Sequence, residues 1–264
     1  MITLTSSTAR VAIDAEQGGR LASLQVFGQE LLVSAAPDPL HWGCYPMAPW
    51  AGRTRHGRFR FAGTTHTLPI TLAPHAIHGT VWNRPWEVVD DNALRCALGP
   101  DWPFAGYAEQ QFALDDNALR LRLCVHALDA PFPAVIGWHP WFRRRLETGS
   151  AARLDFSARA IYRTDEQQIP TGELDEPPPG PWDDCFTGIE REPVITWPGV
   201  LSLALHADLD HWVVYDQPRH ALCVEPMSGP PDALNLGATL VTPEQPLLGE
   251  FVLRWHGPFD AASG

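Results

Sequence analysis

Apolar and polar residues alternate with a period of two over many short stretches of this chain. Leu119, Leu121, Leu123 and Val125 stand against Arg120, Arg122, Cys124 and His126, the pattern of a strand with one buried face. Leu201, Leu203 and Leu205 against Ser202, Ala204 and His206 repeat it, as do Arg58-Phe59-Arg60-Phe61 and Phe251, Leu253 and Trp255. Turn formers separate these runs: Gly18-Gly19, Asp115-Asp116-Asn117, Pro177 to Pro181 and Gly229-Pro230-Pro231. No window carries a helical stripe bounded by caps, and no internal repeat is visible. The pattern predicts an all-β protein, a large antiparallel β-sandwich with long loops. The cluster Pro177-Pro178-Pro179-Gly180-Pro181 is short and has strand patterns of one type on both sides. It reads as a loop, and residues 1–264 as a single domain.

Composition narrows the function classes. At 264 residues the chain can bury a sizeable core without disulfides or metals. A net charge of -12 argues against nucleic acid and against an anionic membrane surface as partners. All 19 Lys+Arg residues are arginine, which excludes lysine Schiff bases, lysine-bound pyridoxal phosphate and a Walker-type phosphate loop. Cys44, Cys96, Cys124, Cys185 and Cys223 are odd in number and scattered, with no C-x-x-C pair. They predict free thiols in a reducing compartment, not a disulfide framework or a zinc site. The N-terminus has no basic stretch followed by an apolar core, and no segment is apolar enough to span a bilayer. The expectation is a soluble cytoplasmic protein, monomer or homodimer.

Candidate chemistry centres on Gly137-Trp138-His139-Pro140-Trp141-Phe142. Proline disfavours helix around His139 and sets the imidazole on an extended segment or turn. Aromatic rings beside a titratable imidazole suit a carbohydrate site, where rings cover the apolar face of a sugar and the imidazole exchanges protons. For an isolated histidine among aromatics the packed core residue is the preferred reading, so the other segments decide. Glu225 ends the apolar run Ala221 to Val224 and precedes Pro226, which predicts a strand end or bulge. A carboxylate among apolar neighbours can have a raised pKa and act as a general base, or it can pair with one of the many arginines. His78 precedes Gly79, which permits close backbone approach. His75 and His78 form H-x-x-H, but residues three apart on a strand point to opposite faces, so no metal site is expected. Arg53 follows Gly52 in a loop rich in proline and aromatics and can bind hydroxyls. Asp183 and Asp184, between Trp182 and Phe186, are turn residues or a binding edge. Glu225 and Asp183 can also be read as the carboxylate pair of a glycosidase.

In order, P-W-A-G-R (49–53), H-G-x-V-x-N-R-P-W (78–86), G-W-H-P-W-F (137–142), W-D-D-C-F (182–186) and V-E-P-x-S-G-P-P-D-A-L-N (224–235) resemble the aldose 1-epimerase (galactose mutarotase-like) family. The resemblance implies a large antiparallel β-sandwich, an isomerase and a small-molecule sugar substrate, with no cofactor and no metal. It implies that His139 is the general acid toward the ring oxygen and Glu225 the base toward the anomeric hydroxyl. His78 then binds near the ring oxygen and C1 hydroxyl, while Arg53 and Asp183, or the adjacent Asp184, bind sugar hydroxyls. The chain departs from the family at Gly52, where an asparagine usually precedes the arginine. The chemistry needs one base and one acid, expected near neutral pH and on opposite sides of the C1–O5 unit, so that the hemiacetal opens and recloses. Trp82, Trp138 and Trp141 are candidates for stacking on the sugar. Two other readings fit the same fold. One is a hexose-6-phosphate 1-epimerase using Arg53, Arg55, Arg58 and Arg84; the other is a non-catalytic carbohydrate-binding or sensing protein.

Overall fold

Each strongly alternating run becomes a strand: Arg58–Phe61, Ala118–Ala127, Leu201–Ala207 and Leu247–His256. The computed structural model describes residues 1–257, so residues 258–264 of the domain read from the sequence lie outside it. Among the described residues, helix is confined to Ala233–Leu236 and two 3-10 turns. No helix there is long and apolar enough to cross a membrane.

Among the described residues seventeen strands join in one sheet, which folds over on itself at Asp183–Trp197. The first residues of that long strand, from Asp183 to Thr187, pair with His211–Tyr215. Its last residues, from Val194 to Trp197, pair with Leu201–Ala207. One layer continues antiparallel from Leu201–Ala207 through Leu247–His256 and Ala118–Ala127 to Gly106–Leu114. The other runs from His211–Tyr215 through Ala221–Met227, Gly137–Arg143 and Cys44–Met47 to Arg20–Val26. The result is the antiparallel β-sandwich expected from the alternation.

The period of two assigns the side chains. In the second layer Trp138, Phe142, Trp212, Val214, Leu222 and Val224 point into the sandwich, where they join Leu119, Leu121, Leu123 and Phe251 in one buried cluster. The Trp138 and Trp212 rings lie 5.8 and 6.1 Å from the Phe251 ring, so the two layers meet through these aromatics. Each such side chain contributes about 1.5–3 kcal/mol by leaving water, which makes this interface the main source of stability. The intervening residues of the same strands face the other way. Tyr45, Met47, Trp141, Cys185, Cys223 and Met227 form a second cluster there, with Ala51, Trp82 and Ala233 from connecting segments packed on it.

Two sequence expectations need adjustment. Ala221–Met227 continues two residues past Glu225, with Pro226 opposite Trp212 and Met227 opposite His211, so Glu225 is neither a strand end nor a bulge. Proline is accommodated because pairing with Gly137–Arg143 lapses between Gly137–Met227 and Trp141–Cys223, where Pro140 and Pro226 supply no N–H. Trp182 and Phe186 pack on each other and on Phe156 away from the outer face, so they make no binding edge. The proline cluster is a loop between Pro170–Asp175 and Asp183–Trp197, and all five cysteines are free thiols.

Candidate active site

Strand register, not sequence proximity, assembles the site. His139 is paired with Tyr45 on one side. On the other side the Gly137–Met227 and Trp141–Cys223 pairs leave it opposite Glu225. Glu225 is paired with Val213, and Val213 with Cys185. One row thus crosses five strands as Tyr45, His139, Glu225, Val213 and Cys185. The next row carries Trp141, Cys223, Tyr215 and Asp183. Alternation decides between the two aspartates: Asp183 shares a face with Cys185 and lines the cavity, and Asp184 points to the opposite face.

A cavity of about 230 Å³ opens over these rows and is lined by Tyr45, His78, His139, Trp141, Tyr215 and Glu225, with Arg53, Asp183 and His41 nearer its mouth. His139 Nε2 lies 3.3 Å from Glu225 Oε1, and both side chains are more than nine-tenths buried. These two groups stand side by side, not across the cavity from one another. Trp141 stacks parallel on the His139 ring at 5.2 Å, Tyr45 lies 4.9 Å away, and His78 meets it edge-on at 5.0 Å. Packed rings on three sides leave the imidazole one orientation. Arg53 and Asp183 approach to 3.9 Å at the mouth.

His78 reaches the site on a tight loop. Its φ of 60° is left-handed, its N–H donates to the Gly52 carbonyl, and the Thr80 N–H donates to the Ala48 carbonyl. A Cβ on Gly79 would sit 1.9 Å from the Ala48 oxygen, so only glycine permits that approach. His75 turns away and accepts a hydrogen bond from the His56 N–H, so the H-x-x-H pair does not converge. Of the three tryptophans considered for stacking, Trp141 lines the cavity, Trp138 belongs to the core, and Trp82 packs behind Tyr45.

Gly52 has φ of 67°, and a Cβ there would meet the Pro231 ring at 2.9 Å. Pro231 fills the space that an asparagine side chain before Arg53 would need. Gly52→Asn is expected to destabilise the fold by about 1–3 kcal/mol through overpacking, read as a lower urea midpoint.

Burial dominates the electrostatics. It pushes the Glu225 carboxyl well above the usual carboxylate range, reinforced by the charge of Asp183 and opposed by Arg53. It holds His139 well below the ordinary histidine value, with His78 and His41 adding to the effect. His78 falls to about 3 through burial and the Arg53 charge. His139 is therefore not poised near neutrality on its own. Isolated charges are disfavoured at this depth, so Glu225 and His139 hold one proton between them, as GluH–His or Glu⁻–HisH⁺.

Arg20 and Tyr45 were invisible in the sequence. Arg20 is fully buried and donates hydrogen bonds to the carbonyls of Gln17, Pro39, Trp42 and Trp82. Its guanidinium stacks on Trp42 at 4.3 Å and on Tyr45 at 5.2 Å, which ties the loops around the cavity to the ring beside His139. In sequence it is one arginine among many. Only the fold surrounds it with carbonyls.

Comparison with known proteins bears on the family and the fold. Residues 1–233 match the family model described as aldose 1-epimerase. The Escherichia coli protein YihR, described as uncharacterised, is 29% identical over 258 residues, covering 85% of this chain and 82% of YihR. A galactose mutarotase-like protein from Clostridium acetobutylicum superposes with a TM-score of 0.84 at 16% identity, over 97% of this chain and 94% of that one. The galactose 1-epimerase of Lactobacillus acidophilus gives 0.79 at 16% identity, over 97% and 93%. The chain belongs to the aldose 1-epimerase family.

Proposed function

We propose that this protein interconverts the α and β anomers of a free hexose. The observation that carries the reading is the buried pair at the cavity floor, His139 Nε2 against Glu225 Oε1 at 3.3 Å. In the hemiacetal, the C1 hydroxyl and the ring oxygen share one carbon, so a base and an acid standing side by side can address both. Glu225 as carboxylate takes the C1 hydroxyl proton while protonated His139 gives its proton to the ring oxygen, and the C1–O5 bond breaks. Rotation about C1–C2 and return of both protons give the other anomer. Burial favours GluH–His at rest, so the shared proton first crosses to the imidazole; the reacting pair is then Glu⁻–HisH⁺ and returns to GluH–His as the ring opens. Trp141 and Tyr45 line the cavity and supply apolar surface for the ring C–H groups, and His78 bonds near the C1 end.

Asp183 and Arg53 bind sugar hydroxyls at the mouth. Asp183→Asn is expected to raise KM roughly tenfold, as loss of a charge-assisted hydrogen bond does, with kcat little changed. Asp184→Asn, on the opposite face, leaves both constants at wild-type values; steady-state polarimetry separates the two.

A neutral substrate is favoured over a phosphorylated one. Arg53 alone among the four arginines considered for phosphate lines the cavity, and Asp183 partly offsets its charge. Arg55 is paired with Asp165 at 2.7 Å, and Arg84 bonds the Ala97 carbonyl. Polarimetry on freshly dissolved α-glucose and α-galactose, beside glucose 6-phosphate, tests the reading. Acceleration with the free sugars supports it. Buffer-rate mutarotation for every free sugar sinks it, and sugar binding without turnover would point to a sensing protein.

A further inference from the structure

Cys223 has no part in the chemistry just described, yet its thiol lies fully buried against the pair that has. It precedes Glu225 by two residues on the same strand face and is paired with Trp141 across the strands. One ligand atom each from His139, Cys223 and Glu225 falls within 4.8 Å of the others. Among the described residues this is the one group of three such side chains, and all three are buried. The His139 ring is fixed by Trp141 and Tyr45, and its Nδ1 has no hydrogen-bond partner among the described residues.

We propose that His139, Cys223 and Glu225 form a binding site for a thiophilic divalent cation of the Zn²⁺ or Co²⁺ type, and that the occupied site shuts out the sugar. The donor set argues for this class. One imidazole nitrogen, one thiolate and one carboxylate suit Zn²⁺ and Co²⁺, whereas Ca²⁺ and Mg²⁺ require oxygen ligands throughout. His139 and Glu225 line the cavity and Cys223 lies buried beside them, so the fourth tetrahedral position faces the cavity, where water can complete the shell. Charge balances as well. The cation replaces the proton shared by His139 and Glu225, and the Cys223 thiol proton leaves to solvent. Thiolate and carboxylate then neutralise the dication, so no net charge is buried at the site. Asp183, one row away, adds negative potential, and Arg53 at the mouth opposes it. With His139 and Glu225 engaged by the metal, neither acid nor base is free, so inhibition is competitive with sugar.

Ligation does not depend on which reaction the site performs, and its test reads it directly. The full chain is titrated with Co²⁺ while thiolate-to-cobalt charge-transfer absorption is followed. The band is expected to saturate at one equivalent, to vanish in Cys223→Ala and to persist in Cys185→Ala and Cys124→Ala. Cys223→Ser serves the same comparison should the alanine variant not fold. Zn²⁺ is expected to displace the band. In the polarimetric assay the Zn²⁺ concentration for half-inhibition should rise by about tenfold or more in the Cys223 variant, since even outer-shell changes cost about 10–100-fold. Absence of the band in the wild-type chain, or a band of full strength in Cys223→Ala, overturns the proposal. A chain without mutarotase activity that still shows the Cys223-dependent band leaves the site standing and removes only the proposed reaction.

Discussion

Glu225→Gln is expected to lower the mutarotation rate constant by about two to four orders of magnitude, the range for loss of a general base. The amide keeps the size of the side chain and its place opposite Val213, but it cannot accept the anomeric proton. Stability separates this from mere unfolding. Burial raises the carboxyl pKa in the folded state. Between the unfolded value near 4.5 and that raised value, the folded protein holds more protons than the unfolded chain. This contribution to stability is present in full below the unfolded value and is lost as pH rises through the window. Glutamine cannot ionise, so the variant should match or exceed the wild-type Tm at neutral pH and lose part of the pH dependence. Calorimetry between pH 5 and 8 beside polarimetry gives both readings. Near-normal turnover would remove Glu225 from the mechanism, and a collapsed Tm would leave the activity loss uninterpretable as chemistry.

His139→Asn is expected to cost about two to four orders of magnitude as well, because asparagine carries no proton to the ring oxygen. The stacked neighbours Trp141 and Tyr45 remain, so sugar should still bind, and kcat should fall far more than KM changes. The double variant Glu225→Gln/His139→Asn should be scarcely slower than either single variant. Groups that pass one proton between them act as a unit, and their losses do not add. A double variant slower by the product of the two single effects would show independent roles. The histidines also set the acid limit of the fold. His78 and His139 titrate lower in the folded protein than in the unfolded chain, so stability is expected to fall as pH drops below 6.5 toward 3. His78→Asn should flatten that decline in urea midpoints measured across the range.

Much of the fold was legible because alternation is a local record of a half-buried strand. Leu119 to Val125 and Leu201 to Leu205 carry it in their own composition, and both became strands of the sandwich. The motif residues His139, Glu225, His78, Arg53 and Asp183 were legible as candidates, and the cavity brings all five together. What failed were inferences from neighbours in sequence. Phe186 shares a strand with Asp183 but faces the core, because residues an odd number apart on a strand point to opposite sides, and Trp182, just before the strand, packs on it. Glu225 looked like a strand end because proline follows it. The strand continues because the pairing there does not call on the missing N–H.

By itself the sequence determined the fold class, the family and the residues able to exchange protons, since periodicity and motif order are properties of one chain read end to end. Only the tertiary structure decided that Asp183 and not Asp184 lines the cavity, that Gly52 is held by Pro231, and that Arg20 braces the site from below. It also decided that His139 and Glu225 stand 3.3 Å apart with Cys223 within reach. Their distance in space is fixed by cross-strand register and their protonation by burial. Both quantities depend on what the rest of the chain packs around them.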